Sequence, residues 1–396
     1  MVNKMYYRLG TEPSLIREIF MYGLEQAKKT GPENVYDYSL GNPSIPAPEM
    51  VNESIKKAVV ETDPVKLHGY SVAAGTEEAR SAIAENLNKR FGTDIKASEL
   101  FLTCGAAPAL QAVIRALTID ETSEIIAIAP FFSEYTVFTE CAGAKLVIVP
   151  PDTDSFQINI DALEEAITAN TQAVIINSPN NPSGVVYTGE TLKEVGELLE
   201  RKGEEAGHPI YIIADEPYRE LVYGGVEVPF VPNIYDNTVV CYSYSKSLSL
   251  PGERIGYICV PGNCADSKNV YAAAAGAARA GGHVCPPTLV QKVIEMCADE
   301  MPDLDAYEEN SNLLYDSLAG MGYECAKPEG AFYLFVKAPG GDSMKFCEQA
   351  KVKENLLAVP GEVFGCPGYL RLAYCVSNDM IRRSLPAFER MIALYK

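Results

Sequence analysis

Lys246 sits where an ammonium is poorly solvated. It lies in "SYSKSLSLPGERIGY" (Ser243–Tyr257), just after the apolar, β-branched run Thr238–Cys241. A lysine among apolar strands loses its proton more readily, because desolvation disfavours the charged form, and a second cation nearby adds to the effect. Arg254, eight residues on, is such a cation. A neutral amine attacks carbonyls. The hydroxyls of Ser243 and Ser245 and the guanidinium of Arg254 are together suited to a phosphate monoester, since arginine offers two parallel donors to two oxygens. A lysine taken alone is most often a solvated surface charge, so the reading depends on what else reaches the same place.

Three other stretches answer that. Gly105-Ala106-Ala107 opens a helical pattern with small residues, leaving backbone N–H groups and the positive end of the helix dipole free for an anion. Asp215 follows the apolar run "PIYIIA". A carboxylate there is either a helix cap, a partner for an arginine, or the counter-charge of a buried ligand cation. Asn181 and Tyr218 are donors for a nearby oxygen anion and say little by themselves. Collected at one sheet edge, these are the parts that hold pyridoxal phosphate. The helix start takes the phosphate, Lys246 the aldehyde, Asp215 the ring nitrogen, and Asn181 and Tyr218 the phenolic oxygen. An acid opposite the ring nitrogen keeps it protonated, so the ring can accept electrons from a substrate carbanion.

The elements that must bring these residues together are legible as apolar runs. Phe101–Thr103, Ile125–Ala129, Leu146–Val149, Ala173–Asn177, Ile210–Ala214, Thr238–Tyr242 and Ile255–Val260 are nearly continuous in hydrophobicity, the pattern of strands covered on both faces. Helical patterns over 107–119, 161–168 and 189–202 lie between them, with Asp161 and Thr188 or Gly189 as caps. The expectation is an α/β fold: a large domain with a mainly parallel seven-stranded sheet between helices, and a smaller α+β domain. In such sheets ligands bind outside the carboxyl ends of the strands, where each of the listed groups falls. Residues 287–321 read as one long helix bent near Pro302. Strands over 332–336, 358–359 and 369–374 and a last helix from Asn378 follow. The expected division is an arm over 1–45 that packs with the small domain, a large domain over 46–290 and a small domain over 291–396.

Composition removes several classes. The formal net charge is −20, which speaks against nucleic acid and anionic membrane surfaces. No apolar run approaches the roughly eighteen residues of a membrane span, and no signal peptide is read at the start, so a cytoplasmic protein is expected. The eleven cysteines show no zinc-ribbon or CxxC spacing and read as reduced, mostly buried thiols. With three histidines, a histidine-based metal site or Ser–His triad has little support.

Over nearly its whole length the chain resembles the class I/II aminotransferases of the aspartate aminotransferase family, which are fold-type I pyridoxal-phosphate enzymes. "SPNNPSG" resembles that family's N-P-[ST]-G turn and points to Asn181. "ADEPY" resembles D-x-x-Y and points to Asp215 and Tyr218. "SYSKSLSLPGERIGY" resembles S-x-S-K…R-x-G, which makes Ser243 and Arg254 phosphate ligands and Lys246 the lysine bonded to the cofactor. By the same resemblance Phe132 of "PFFSEY" stacks on the cofactor ring. Arg371 of "GYLRLAY" grips the substrate α-carboxylate, and Gly41 of "LGNPSIPAP" lines the substrate site. Tyr70 of "HGYSVAAGTEEAR" implies a homodimer, because the family's tyrosine reaches the neighbouring subunit's phosphate. The implied reaction moves an α-amino group between an amino acid and a 2-oxo acid. Arg279, before Pro286-Pro287, resembles the partner-subunit arginine of dicarboxylate-specific members, one residue out of register, which favours aspartate and glutamate. An arginine on a helix face is the alternative. A C–S β-lyase on the same scaffold uses the same cofactor motifs. A cofactor-sensing regulatory domain needs a DNA-binding module and fits the acidic charge poorly, and a nucleotide-binding α/β protein needs a GxGxxG fingerprint that is missing.

Overall fold

Alternate residues of the central strands enter two separate cores. The computed structural model describes residues 1–396. Its strands are β1 (Tyr36–Asp37), β2 (Leu100–Thr103), β3 (Glu124–Ile128), β4 (Lys145–Val149), β5 (Thr171–Asn177), β6 (Tyr211–Asp215), β7 (Thr238–Ser243), β8 (Gly256–Cys259), β9 (Tyr333–Lys337), β10 (Leu356–Leu357), β11 (Val359–Pro360) and β12 (Tyr369–Ala373). Val174, Ile176, Ile212 and Ala214 point into one core, and Ala173, Ile175, Tyr211 and Ile213 into the other. The two-residue period of a strand produces this split, and a sheet buried on both faces needs apolar residues in both phases. Truncating a fully buried member such as Ile213 to alanine costs about 2–5 kcal/mol.

Seven strands form the main sheet in the order β2-β8-β7-β6-β5-β3-β4. All neighbours are parallel except β8, which is antiparallel to both β2 and β7. The mainly parallel seven-stranded sheet expected from the sequence is therefore present. Helices 77–91, 189–206 and 288–297 supply apolar residues to one face, and helices 106–117 and 267–280 to the other. A third core gathers Tyr38, Tyr218, β9, β12 and helices 304–321 and 378–393. The three-stranded sheet β11-β12-β9 is antiparallel, and β1 pairs in parallel with β10, Tyr36 opposite Leu356.

Two local expectations need correction. Residues 287–321 are not one bent helix: Thr288–Cys297 and Leu304–Met321 are separate. Pro302 has no N–H to continue a helix, and Asp303 starts the second one by accepting from the Ala306 N–H at 3.2 Å. The first of these helices buries Val290, Val293, Ile294 and Cys297 in a core of the main sheet. The helix Ile160–Ala166 is capped by Asn159, which accepts from Ala162 N at 3.0 Å, rather than by Asp161. Thr188 caps helix 189–206 as expected, accepting from Thr191 N at 3.1 Å.

Candidate active site

The carboxyl ends of β5, β6 and β7 lie side by side, and their last residues are polar. Asn177 is opposite Asp215 in the sheet register, and Ser243 closes β7. Asn177 donates to the Asp215 carbonyl at 2.8 Å, while its side-chain oxygen accepts from the Asn181 N–H at 2.8 Å. One buried amide thus fixes the acid's backbone and the turn that carries Asn181. Past Ser243 the chain makes a four-residue helix, Tyr244–Ser247, which lifts Lys246 off the sheet edge.

These ends open into a cavity of about 300 Å³. Its wall includes Gly41, Ala106, Ala107, Phe132, Asn181, Asp215, Tyr218, Ser243, Ser245, Lys246, Arg254 and Arg371. Gly105 lies directly behind: its φ is +102°, and a Cβ on it would come within 2.6 Å of the Arg254 guanidinium. Only glycine allows Arg254 that close to the helix start. Pro108 lacks an N–H, so the free donors of the first turn are those of residues 105–107. The Ser243 and Ser245 hydroxyls are 2.8 Å apart, and Arg254 reaches Ser245 Oγ at 3.4 Å. Arg254 is held in the left-handed region, φ +57°. Strain of this kind persists where surrounding structure over-determines it, and it clusters at ligand sites.

Lys246 Nζ donates to the Gly41 carbonyl at 2.7 Å. Burial pulls its pKa down to about 8; the Cys375 thiol opposes this, and the cations of Arg254 and Arg371 add to it. Asp215 is 3% exposed. Burial pushes its carboxyl up to about 7, against a lowering hydrogen bond from Tyr135, with Glu216 adding to the rise. Tyr135 Oη donates to Asp215 Oδ2 at 2.6 Å, while Oδ1 has no partner. Arg371, also 3% exposed, donates from Nη1 to Asn181 Oδ1 at 3.0 Å and from Nη2 to the Ser39 carbonyl at 2.5 Å. Its Nε has no partner. A buried bare carboxylate oxygen and a buried bare guanidinium N–H are each costly without a ligand. The first suits a protonated ring nitrogen, the second a substrate carboxylate. Because Asn181 accepts from Arg371, its NH₂ is left to donate.

Residues 33–388 match the family described as aminotransferase class I and II. The chain belongs to that family. Class I and II aminotransferases use pyridoxal phosphate, and the donor set above fits its phosphate, ring nitrogen and phenolic oxygen. The chain is 32% identical to an aspartate aminotransferase from Thermotoga maritima, over 90% of this chain and 91% of that one. It is 29% identical to an aromatic-amino-acid aminotransferase from Thermococcus litoralis, over 96% of each. Its fold superposes on the crystal structure of an amino transferase from Eubacterium rectale with a TM-score of 0.98 at 56% identity, covering 100% of this chain and 99% of that one. It is a pyridoxal-phosphate-dependent aminotransferase by this kinship, and a C–S lyase or a regulatory domain is not favoured. No helix is long and apolar enough to cross a membrane.

Two of the residues singled out in the sequence lie outside the aminotransferase cavity. Tyr70 is 89% exposed. Arg279 lines a separate surface cavity with Ala73, Phe101 and His283. The structure also adds residues that sequence reasoning passed over: Asn177, Tyr135 and Tyr333. Tyr333 Oη is 2.8 Å from Tyr218 Oη, and its ring lies 4.7 Å from the Arg371 guanidinium carbon. Position was the only available signal for Asn177, which ends an apolar run at the active edge. Tyr135 lies three residues after Phe132, and nothing local marks it.

Proposed function

We propose that the cavity binds pyridoxal phosphate through Lys246 and transfers the α-amino group of an amino acid to a 2-oxo acid. The observation that carries this is the convergence of a depressed lysine, a bare Asp215 oxygen and a bare Arg371 N–H on one cavity. The backbone N–H groups at Gly105, Ala106 and Ala107, the Ser243 and Ser245 hydroxyls and Arg254 take the phosphate. Phe132 covers the ring face. Asp215 Oδ1 holds the proton of the ring nitrogen, and Asn181 and Tyr218 donate to the phenolic oxygen. When bound, the cofactor supplies an electron sink for the carbanion left by loss of the substrate's α-proton. Arg371 Nε grips the α-carboxylate beside Gly41 and so aims the Cα–H bond. Lys246 Nζ, its pKa lowered by burial to about 8, takes and returns that proton as a general base. Borohydride treatment of the loaded protein is expected to fix the cofactor on the tryptic peptide holding Lys246. Lys246→Ala is expected to lose both the label and transamination. Wild-type-like turnover in Lys246→Ala would remove this mechanism.

We infer a homodimer in which Tyr70 of the partner subunit reaches the phosphate. Tyr70, Val72 and Val284 are apolar and exposed on one face, where His283 Nε2 lies 3.0 Å from the Ala73 carbonyl. Such a patch is characteristic of an interface. Arg279 shares this face, so the arginine of the partner subunit is the candidate reader of a second substrate carboxylate, favouring aspartate and glutamate. Arg279→Ala is expected to lower kcat/KM for aspartate by about 10²-fold, the scale of a lost charge-assisted pair, while sparing aromatic amino acids. Equal losses for both would exclude Arg279 as the reader.

A further inference from the structure

We propose that Tyr333 is a positioning residue that couples Arg371 to Tyr218, so that seating a substrate carboxylate changes the hydrogen bond Tyr218 offers to the cofactor. The proposal rests on the reading of Lys246 and Tyr218 as cofactor residues given above. Tyr333 opens β9 and is 2% exposed. In the β12–β9 register it stands opposite Ala373, and Phe335 stands opposite Arg371. Tyr333 and Arg371 are therefore diagonal neighbours on one face, a spacing that long side chains bridge. The Arg371 guanidinium carbon lies 4.7 Å from the Tyr333 ring centroid and 4.8 Å from that of Phe364. The Tyr333 hydroxyl reaches Tyr218 Oη at 2.8 Å, and the two rings meet edge to face at 5.6 Å. A Cβ on Gly41 would overlap that hydroxyl, so the glycine leaves room for this tyrosine. Tyr333 is thus in contact with both the carboxylate arginine and the phenolic-oxygen tyrosine.

The hydroxyl pair has a direction once Tyr218 has an acceptor. Tyr218 has one proton. When it gives that proton to the phenolic oxygen, the 2.8 Å contact is made by Tyr333 donating to Tyr218. Each hydrogen bond in such a chain polarises the next. The Arg371 charge beside the Tyr333 ring makes its hydroxyl a better donor. A carboxylate on Arg371 cancels that charge, and the whole chain weakens. Less donation leaves more negative charge on the phenolic oxygen, which stabilises a proton on the adjacent Lys246 nitrogen. The lysine linkage is accordingly more basic when a carboxylate is seated, and part of that response runs through Tyr333.

The test is a pH titration of the absorbance of the loaded, full-length enzyme, with and without succinate, which has carboxylates and no amino group. Tyr333→Phe keeps the ring on Arg371 and removes the hydroxyl. Its midpoint without succinate is expected to rise by about 0.1–0.3 pH unit, because Tyr333 acts only by polarising Tyr218 and contributes a fraction of one hydrogen bond. Its succinate-induced rise is expected to be smaller than that of the wild type, the remainder running through Asn181, which accepts from Arg371 directly. Tyr218→Phe should shift the midpoint further in the same direction, and adding Tyr333→Phe to it should change nothing more, as expected for two members of one chain. A wild-type midpoint and a full succinate response in Tyr333→Phe would overturn the coupling alone. So would simple additivity in the double variant, which is what a merely structural tyrosine gives. A wild-type protein with no Lys246-dependent band would overturn the underlying reading and the coupling with it.

Discussion

Asp215 and Glu216 are adjacent, both nearly inaccessible, and burial pushes both carboxyls up to about 7. They differ in what faces them. Glu216 has a cation of its own: Arg219 donates to it at 2.9 Å, to Glu220 at 3.1 Å and to the Tyr257 hydroxyl at 3.1 Å. Glu220 in turn accepts from Arg90 at 2.6 Å and from Tyr242 at 2.7 Å, and Tyr242 Oη is 2.8 Å from Ser247 Oγ. The charges of this cluster are answered within the chain, although Glu216 keeps one oxygen, Oε1, without a partner, as Asp215 does. The cluster also ties the residue after Asp215 to the residue after Lys246. Asp215 has a neutral tyrosine for company and a bare oxygen on a cavity wall. Two acids on one segment thus separate into one that holds the scaffold and one left for a ligand. The cation missing from the second is what a protonated cofactor ring would bring.

The comparison predicts opposite stability effects. Arg219→Met leaves Glu216 and Glu220 without their shared cation and is expected to cost about 3–5 kcal/mol in urea unfolding of the cofactor-free protein. A loss below about 1 kcal/mol would show that the cluster is not structural. Asp215→Asn should do the reverse. In the cofactor-free protein the folded pKa of Asp215 is near 7 against about 3.9 unfolded. The penalty for charging it is complete above pH 7. It is relieved as pH falls from 7 towards 4, because there the folded state binds more protons than the unfolded one. Asparagine keeps an acceptor for Tyr135 and carries no charge. The gain is expected to be on the order of 2–4 kcal/mol at pH 8 and to shrink steadily towards pH 4. The same variant, loaded with cofactor, should be a poor transaminase. A destabilised Asp215→Asn at pH 8 would mean that the acid already has its counter-charge within the chain.

The strand–turn motifs carried most of the site into view, for a physical reason. In a parallel sheet each apolar run ends at the same edge, so the polar residues after "VIIN", "YIIA" and "VVCY" meet by topology alone. Asn181, Asp215, Tyr218, Lys246 and Arg254 were legible in this way, and Arg371 through the run that holds it. Tyr135, Tyr333 and Arg219 were not. The meaning of the two tyrosines lies in partners 80 and 115 residues away, Asp215 and Tyr218, and nothing local distinguishes them from packing residues; Arg219 stands beside its acids Glu216 and Glu220, but the burial that makes the three a scaffold is set by the fold. The helix break before Asp303 was half visible, as a proline without the cap that follows it.

Tyr135 sharpens the comparison at its smallest scale. Its hydroxyl is the one protein donor on the Asp215 side chain, and it lowers a pKa that burial raises. Tyr135→Phe removes about one hydrogen bond to a charged group, on the order of 1–2 kcal/mol, and leaves ring and volume in place. Two consequences separate a tuning role from packing. The pH above which the cofactor-free protein stops losing stability should move up from near 7, because an undonated carboxylate holds its proton longer. In the loaded enzyme kcat/KM should fall about 5- to 30-fold, the same energy read as a rate. A loss of stability equal at every pH, with kcat/KM unchanged, would mean that Tyr135 only fills space. The open acid would then be tuned by burial alone, and the lack of a cation facing it would be the whole of its difference from Glu216.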